Sequence, residues 1–161
     1  MTAPQTPSDP DGPAAAPSEA SASRAPRYTH DAAPTSRLDA CVTFYRDVAS
    51  MRLVRLRGTE GNRVAWMAPA DVDRPIFVFV EELGLADLPP HPEPLLRHIG
   101  FEVDSRADLD ALYARLLAAG LAPTKPQFVD DVVGHVSLVH DPDGRVVEFS
   151  FGQDVSPASW D

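Results

Sequence analysis

From residue 27 onward the chain switches between two hydrophobic periods. Leu38, Cys41, Val42, Tyr45 and Val48 recur at helical spacing and predict an amphipathic helix over 37–49. Ser36 stands at its start as an N-cap, with Asp39 three residues on. A short strand over 27–33 carrying His30 precedes it, and Pro34-Thr35-Ser36 ends that strand. Residues 51–57 and 63–67 and the segment PIFVFVEE over 75–82 predict three strands, separated by turns at 58–62 and 70–74. A proline-rich stretch follows, and then the order returns. A strand over 96–103 carries His98, Ser105 and Asp108 repeat the cap, and Leu109, Leu112, Leu116 and Ala119 line a helix that Gly120 stops. Strands over 121–129, 133–140 and 145–151 complete the second set.

The order is therefore βαβββ twice, at a steady offset of 68 from His30 to His98 and 69 from Ser36 to Ser105. This predicts an α+β fold: two tandem βαβββ modules forming a curved mixed-sheet half-barrel cup, with the helices outside. The expected boundaries are a tail over 1–26, module one over 27–84, a linker over 85–95, module two over 96–152 and a C-terminal tail over 153–161 containing Trp160. Residues 1–26 are proline, alanine, serine and acid without period or aromatics, and are expected to be disordered.

Charge narrows the class. The formal net charge is −10, and the first 26 residues contribute only −2 of it, so the folded part is itself acidic. No basic stripe suggests nucleic-acid binding. No apolar run is long enough to span a membrane, and no secretory signal opens the chain. The single cysteine, Cys41, falls on the helix's apolar face as a small buried side chain and suits a reducing cytoplasm.

The chemistry concentrates in 96–152. His98 and Glu148 lie within apolar strands, where each is costly to bury without a partner, and one divalent metal ion would serve both. His140 precedes a turn and is expected to be exposed; His135 would reach the cup only as an accessory acid or base; His91 is in the proline linker. Asp141-Pro142-Asp143-Gly144 reads as a tight turn.

The doubled βαβββ order, the segment Phe44-Tyr45-Arg46-Asp47-Val48 and the Asp141-Pro142-Asp143-Gly144 turn leading to Glu148 resemble the vicinal oxygen chelate superfamily, which includes glyoxalase I, type I extradiol dioxygenases and bleomycin-resistance proteins. The resemblance covers 27–152. It implies a metal site of His30, His98 and Glu148 for iron, manganese, nickel, cobalt or zinc, a small-molecule substrate chelated through neighbouring oxygens, and a homodimer. A fourth ligand from module one would align near Val78 by strand, or at Glu81 by counting from the histidine. Glu81 is the candidate general base, with a solvated strand-end charge as the favoured alternative.

The function implied is a glyoxalase-like metalloenzyme of isomerase, lyase, epimerase or dioxygenase type. Extradiol cleavage is weakened by Leu138, which stands where such enzymes carry a tyrosine. The alternative is a metal-free ligand-sequestering protein of the bleomycin-resistance type, for which the acidic domain and Trp66 would suit a bulky cation.

Overall fold

The computed structural model describes residues 28–72, 76–86 and 98–154. The expected tail over 1–26, most of the linker and the end of the chain with Trp160 lie outside the described residues, as do Leu96 and Arg97. Among these described residues ten elements follow in order: β1 (Asp31–Thr35), α1 (Leu38–Asp47), β2 (Met51–Arg57), β3 (Val64–Pro69), β4 (Phe77–Glu81), β5 (His98–Glu102), α2 (Arg106–Ala118), β6 (Gln127–Phe128), β7 (His135–His140) and β8 (Val146–Phe151). They form two mixed four-stranded sheets, ordered β1-β4-β3-β2 and β5-β8-β7-β6. This is the doubled βαβββ, α+β architecture. The sheets are not closed into a barrel.

Local details depart from the sequence expectation for identifiable reasons. The first strand runs through Pro34 instead of ending there. Within its sheet β1 pairs only with β4, so a residue without an N–H is tolerated at that edge. The cap of α1 is Arg37, not Ser36; Thr35 Oγ1 accepts from the Arg37 amide at 2.9 Å. Ser105 caps α2 as expected, accepting from the Asp108 amide at 3.1 Å. The strand expected over 121–129 shrinks to two residues, because Pro123 and Pro126 withhold ladder donors.

One hydrophobic cluster joins the two modules. Tyr45, fully buried, sits among Phe44, Phe77, Phe79 and Phe101, with ring centroids at 5.1–6.3 Å. Leu109, Leu112 and Leu116 of α2 join Val139, Val147 and Phe149 in the same core.

The modules are also tied by buried polar groups. The Tyr45 hydroxyl donates to Asp141 Oδ2 at 3.1 Å, and the Cys41 thiol to Asp143 Oδ2 at 3.2 Å. Arg145 Nη1 reaches Asp141 at 3.1 Å and Asp143 at 2.6 Å, and its Nη2 bonds the Pro34 carbonyl of β1. Arg37 Nη1 donates to the Pro142 carbonyl at 2.5 Å. The turn between β7 and β8 is thus anchored to β1 and α1. Asp141→Ala would leave the Tyr45 hydroxyl without its acceptor and Arg145 short of a counter-charge. It is expected to lower unfolding stability by about 3–5 kcal/mol in urea titrations. A loss below about 1 kcal/mol, ordinary for a surface change, would show that this carboxylate does not hold the modules together.

Candidate metal centre and its sheet face

Strand register decides which side chains share a face. β5 and β8 run parallel, with Gly100 opposite Glu148 and His98 opposite Val146. His98 and Glu148 therefore project from the same side, diagonal to each other. Val147 and Phe149, pointing the other way, enter the core beneath the helices. Glu148 thus stands on the helix-free face, yet its side chain is only 3 % exposed. His98 Nε2 lies 3.7 Å from Glu148 Oε2, too long for a hydrogen bond and short enough for two ligands of one ion. A Cβ added at Gly100 would stand 3.9 Å from Glu148 Oε1, an ordinary contact, which places the glycine directly beside the carboxylate. A divalent metal fits this donor pair, a carboxylate and an imidazole converging outside the core.

His30 is not gathered with them. It is exposed, immediately precedes β1, and its Nδ1 lies 3.0 Å from Thr29 Oγ1. Among the described residues, His30, His98 and Glu148 do not bring one ligand atom each within 4.8 Å of one another. Core registry still makes His30 the counterpart of His98. Phe77 and Phe79 fill the core as Val147 and Phe149 do, so the residue equivalent to Glu148 is Val78, opposite Ala32. Module one therefore offers no carboxylate at that position.

Glu81 projects from the face of Phe77 and Phe79, away from the face that carries Val78. It is not a solvated strand-end charge, since its side chain is 3 % exposed. Arg63 grips it through Nη2 to Oε1 at 2.5 Å and Nε to Oε2 at 2.9 Å, and the Gly61 amide donates at 2.8 Å. The same guanidinium reaches Asp39 of α1 at 3.0 Å. The structure does not bring Glu81 to the face of His98 and Glu148; its lone pairs are occupied by Arg63 and the 61–63 turn.

Among the described residues, the group whose ligand atoms do lie within 4.8 Å is Cys41, Asp141 and Asp143. It does not suit a metal. The Arg145 guanidinium already supplies the positive charge, and burial together with the Asp143 and Asp141 charges pushes the Cys41 thiol up to about 12. A protonated thiol donates to Asp143 and is not a ligand.

His135 pairs with Phe151 and lies beside Phe128, its ring tilted against the phenyl at 5.2 Å between centroids, on the helix-side face. His140 is exposed, as expected, but pairs with Val146 and so shares the face of His98 and Glu148.

The sequence of residues 27–149 matches the model of the Glyoxalase/Bleomycin resistance protein/Dioxygenase superfamily. The chain belongs to that superfamily. An uncharacterized protein of Pseudomonas aeruginosa, PA2024, is 36 % identical over 135 residues, covering 83 % of this chain and 94 % of its own. A glyoxalase/bleomycin resistance protein/dioxygenase domain from Frankia sp. EAN1pec shares the fold, with a TM-score of 0.64, 24 % identity, and coverage of 81 % of this chain and 100 % of that one. The trypanothione-dependent glyoxalase I of Leishmania major aligns with a TM-score of 0.59 at 18 % identity, over 80 % of this chain and 88 % of its own.

The Glu81 environment carries a pH signature. Hydrogen bonds from Arg63, reinforced by the Arg63 and Gly61 amides, outweigh burial and hold its carboxyl down to about 2, against an ordinary 4.5. A depressed carboxyl stabilises the fold fully above its unfolded value and loses that contribution as pH falls through its folded value. The urea midpoint is therefore expected to fall between about pH 4.5 and 2 more steeply in the parent than in Glu81→Gln. Parallel pH profiles would refute this role.

Proposed function

We propose that this protein is a metal-dependent enzyme of the vicinal oxygen chelate type, binding a small substrate through two neighbouring oxygens. The observation that carries this is the pairing of His98 and Glu148 on the helix-free face, with the carboxylate nearly excluded from water and 3.7 Å from the imidazole. A buried carboxylate in an apolar strand calls for a cation, and a histidine turned to the same spot suits a transition metal better than a simple counter-charge. When bound, the ion would supply Lewis acidity toward an enolate or oxyanion. The chain's own part is to hold the two donors rigidly. β8 is central in its sheet and fixes Glu148, while the β5 register aims His98 across Gly100. The reaction in this reading is of isomerase, lyase, epimerase or dioxygenase type, and the metal is iron, manganese, nickel, cobalt or zinc.

His30 is the third ligand in this reading, supplied by a second copy of the chain. Its distance from the His98–Glu148 pair within one chain supports a site shared across a homodimer. A cytoplasmic location suits the single buried thiol.

A second reading, a metal-free ligand-sequestering protein, draws support from Val78, the apolar residue where the module repeat would otherwise put a carboxylate. Metal content separates the two. Protein purified without an affinity-metal step is expected to hold about one transition metal per chain, lost in His98→Ala and Glu148→Ala. Neither the parent nor anaerobically reconstituted protein binding metal would overturn the enzyme reading in favour of sequestration. His30→Ala and His98→Ala chains are expected to be separately metal-poor. Co-expressed, they should regain about a quarter of the sites, because one of two sites in each mixed dimer is intact. No recovery would place all ligands in one chain.

A further inference from the structure

The helix-free face of module one carries a feature unlike anything in module two. β2 pairs with β3 in one register from Met51 to Leu53 and in another from Arg55 to Arg57, with Val54 inserted as a β-bulge. The extra residue reverses which side chains face which way. Without it, Leu53 opposite Met67 would be followed by Arg55 opposite Ala65, on the core side. With it, Arg55 lies opposite Trp66, and Arg57 opposite Val64, on the helix-free side. Arg55, Trp66, Val78 and Ala32 then form one row across the sheet. Val78 is the counterpart of Glu148.

Val54, Arg55, Arg57 and Trp66 line an open cavity of about 370 Å3. The Arg57 guanidinium lies over the Trp66 ring, 5.2 Å from its centroid. Stacking leaves the N–H edges of a guanidinium free for a carboxylate. Among the described residues neither Arg55 nor Arg57 has a carboxylate within ion-pair distance, although Arg63, Arg106 and Arg145 each do. In a chain of 24 acidic and 14 basic residues, two neighbouring unpaired arginines are against the overall charge. They are a poor match for a cationic ligand.

We infer that Arg55, Arg57 and Trp66 form a subsite for a planar, conjugated carboxylate. The carboxylate accepts from the guanidinium edges and the ring system lies against Trp66 and Val54. The subsite's arginines lie two strands, about 10 Å, from the row position equivalent to Glu148, with Trp66 on the strand between. This deepens the proposed function by naming a second recognised end of the substrate. Only the chelated end rests on that reading; the subsite rests on the bulge, the cavity and the unpaired charges.

The test uses full-length protein carrying Trp160→Phe, so that Trp66 supplies the one indole N–H signal in a proton–nitrogen correlation spectrum. The probes are 2-naphthoate, neutral 2-naphthamide, cationic 2-naphthylmethylammonium and inorganic phosphate. Saturable movement of the Trp66 signal by naphthoate is expected, at least tenfold tighter than with any other probe and weakening with salt. Arg55→Gln and Arg57→Gln are each expected to weaken naphthoate at least tenfold with unchanged melting temperature, since both side chains are exposed. Arg57→Lys, which keeps the charge but not the fork, should fall between. Equal binding of the four probes, undiminished binding by the glutamine variants, or no movement at millimolar naphthoate would overturn the subsite. Naphthoate binding that persists in His98→Ala while no variant or parent holds metal would sink the metalloenzyme reading and spare the subsite. Normal metal content without naphthoate binding would do the reverse.

Discussion

The arrangement depends on one half-buried cation. Arg145 stands between Asp141 and Asp143 at the turn into β8, and both carboxylates are nearly excluded from water. Burying two acids side by side is unfavourable unless a positive charge and donors satisfy them. Arg145 supplies the charge, and Tyr45, Cys41 and the backbone amides of 143 and 145 supply the donors. Because Tyr45 and Cys41 belong to module one and the turn to module two, satisfying these acids also docks the modules. Burial and the Asp141 charge hold the Tyr45 phenol well above its ordinary value, so it remains a donor at any physiological pH.

Each sheet then presents two unlike faces. Toward the helices the side chains are mostly apolar, with Thr35, His135 and Ser137 as polar exceptions, and where a charge intrudes, as at Glu81, an arginine and backbone amides enclose it. Away from the helices, module two places His98, Glu148 and His140, while module one places Val78, Trp66 and the two arginines. The repeat is thus similar in backbone and divergent in chemistry. Module two carries the candidate metal donors, and module one carries a cationic, aromatic surface.

The net acidity of the chain conceals that surface. Charge totals describe long-range attraction, whereas recognition is decided within a few ångströms by which side chains lack partners. Arg63 and Arg145 are spent on buried acids, whereas Arg55 and Arg57, among the described residues, have no carboxylate within ion-pair distance. An anionic ligand is therefore compatible with an acidic protein, contrary to what the total charge suggests.

The amino-acid sequence by itself determined the doubled βαβββ order, the two helices and the burial of Cys41, because these follow from local periodicity, although the cap of α1 did not. It also marked His98 and Glu148, since polar residues inside apolar strands stand out against that periodicity. What it did not determine was facing. The alternation MRLVRLR breaks at Leu53-Val54, and only pairing with β3 decides that the break is a bulge turning Arg55 and Arg57 to the helix-free side. Strand alignment points to Val78 and counting from the histidine to Glu81 as the equivalent of Glu148; packing of Phe77 and Phe79 into the core chooses Val78 and puts Glu81 on the other face. A strand reverses its side-chain direction at every residue, so a shift of one position exchanges core for surface. Only long-range pairing and packing, which sum contacts across the whole chain, choose between them.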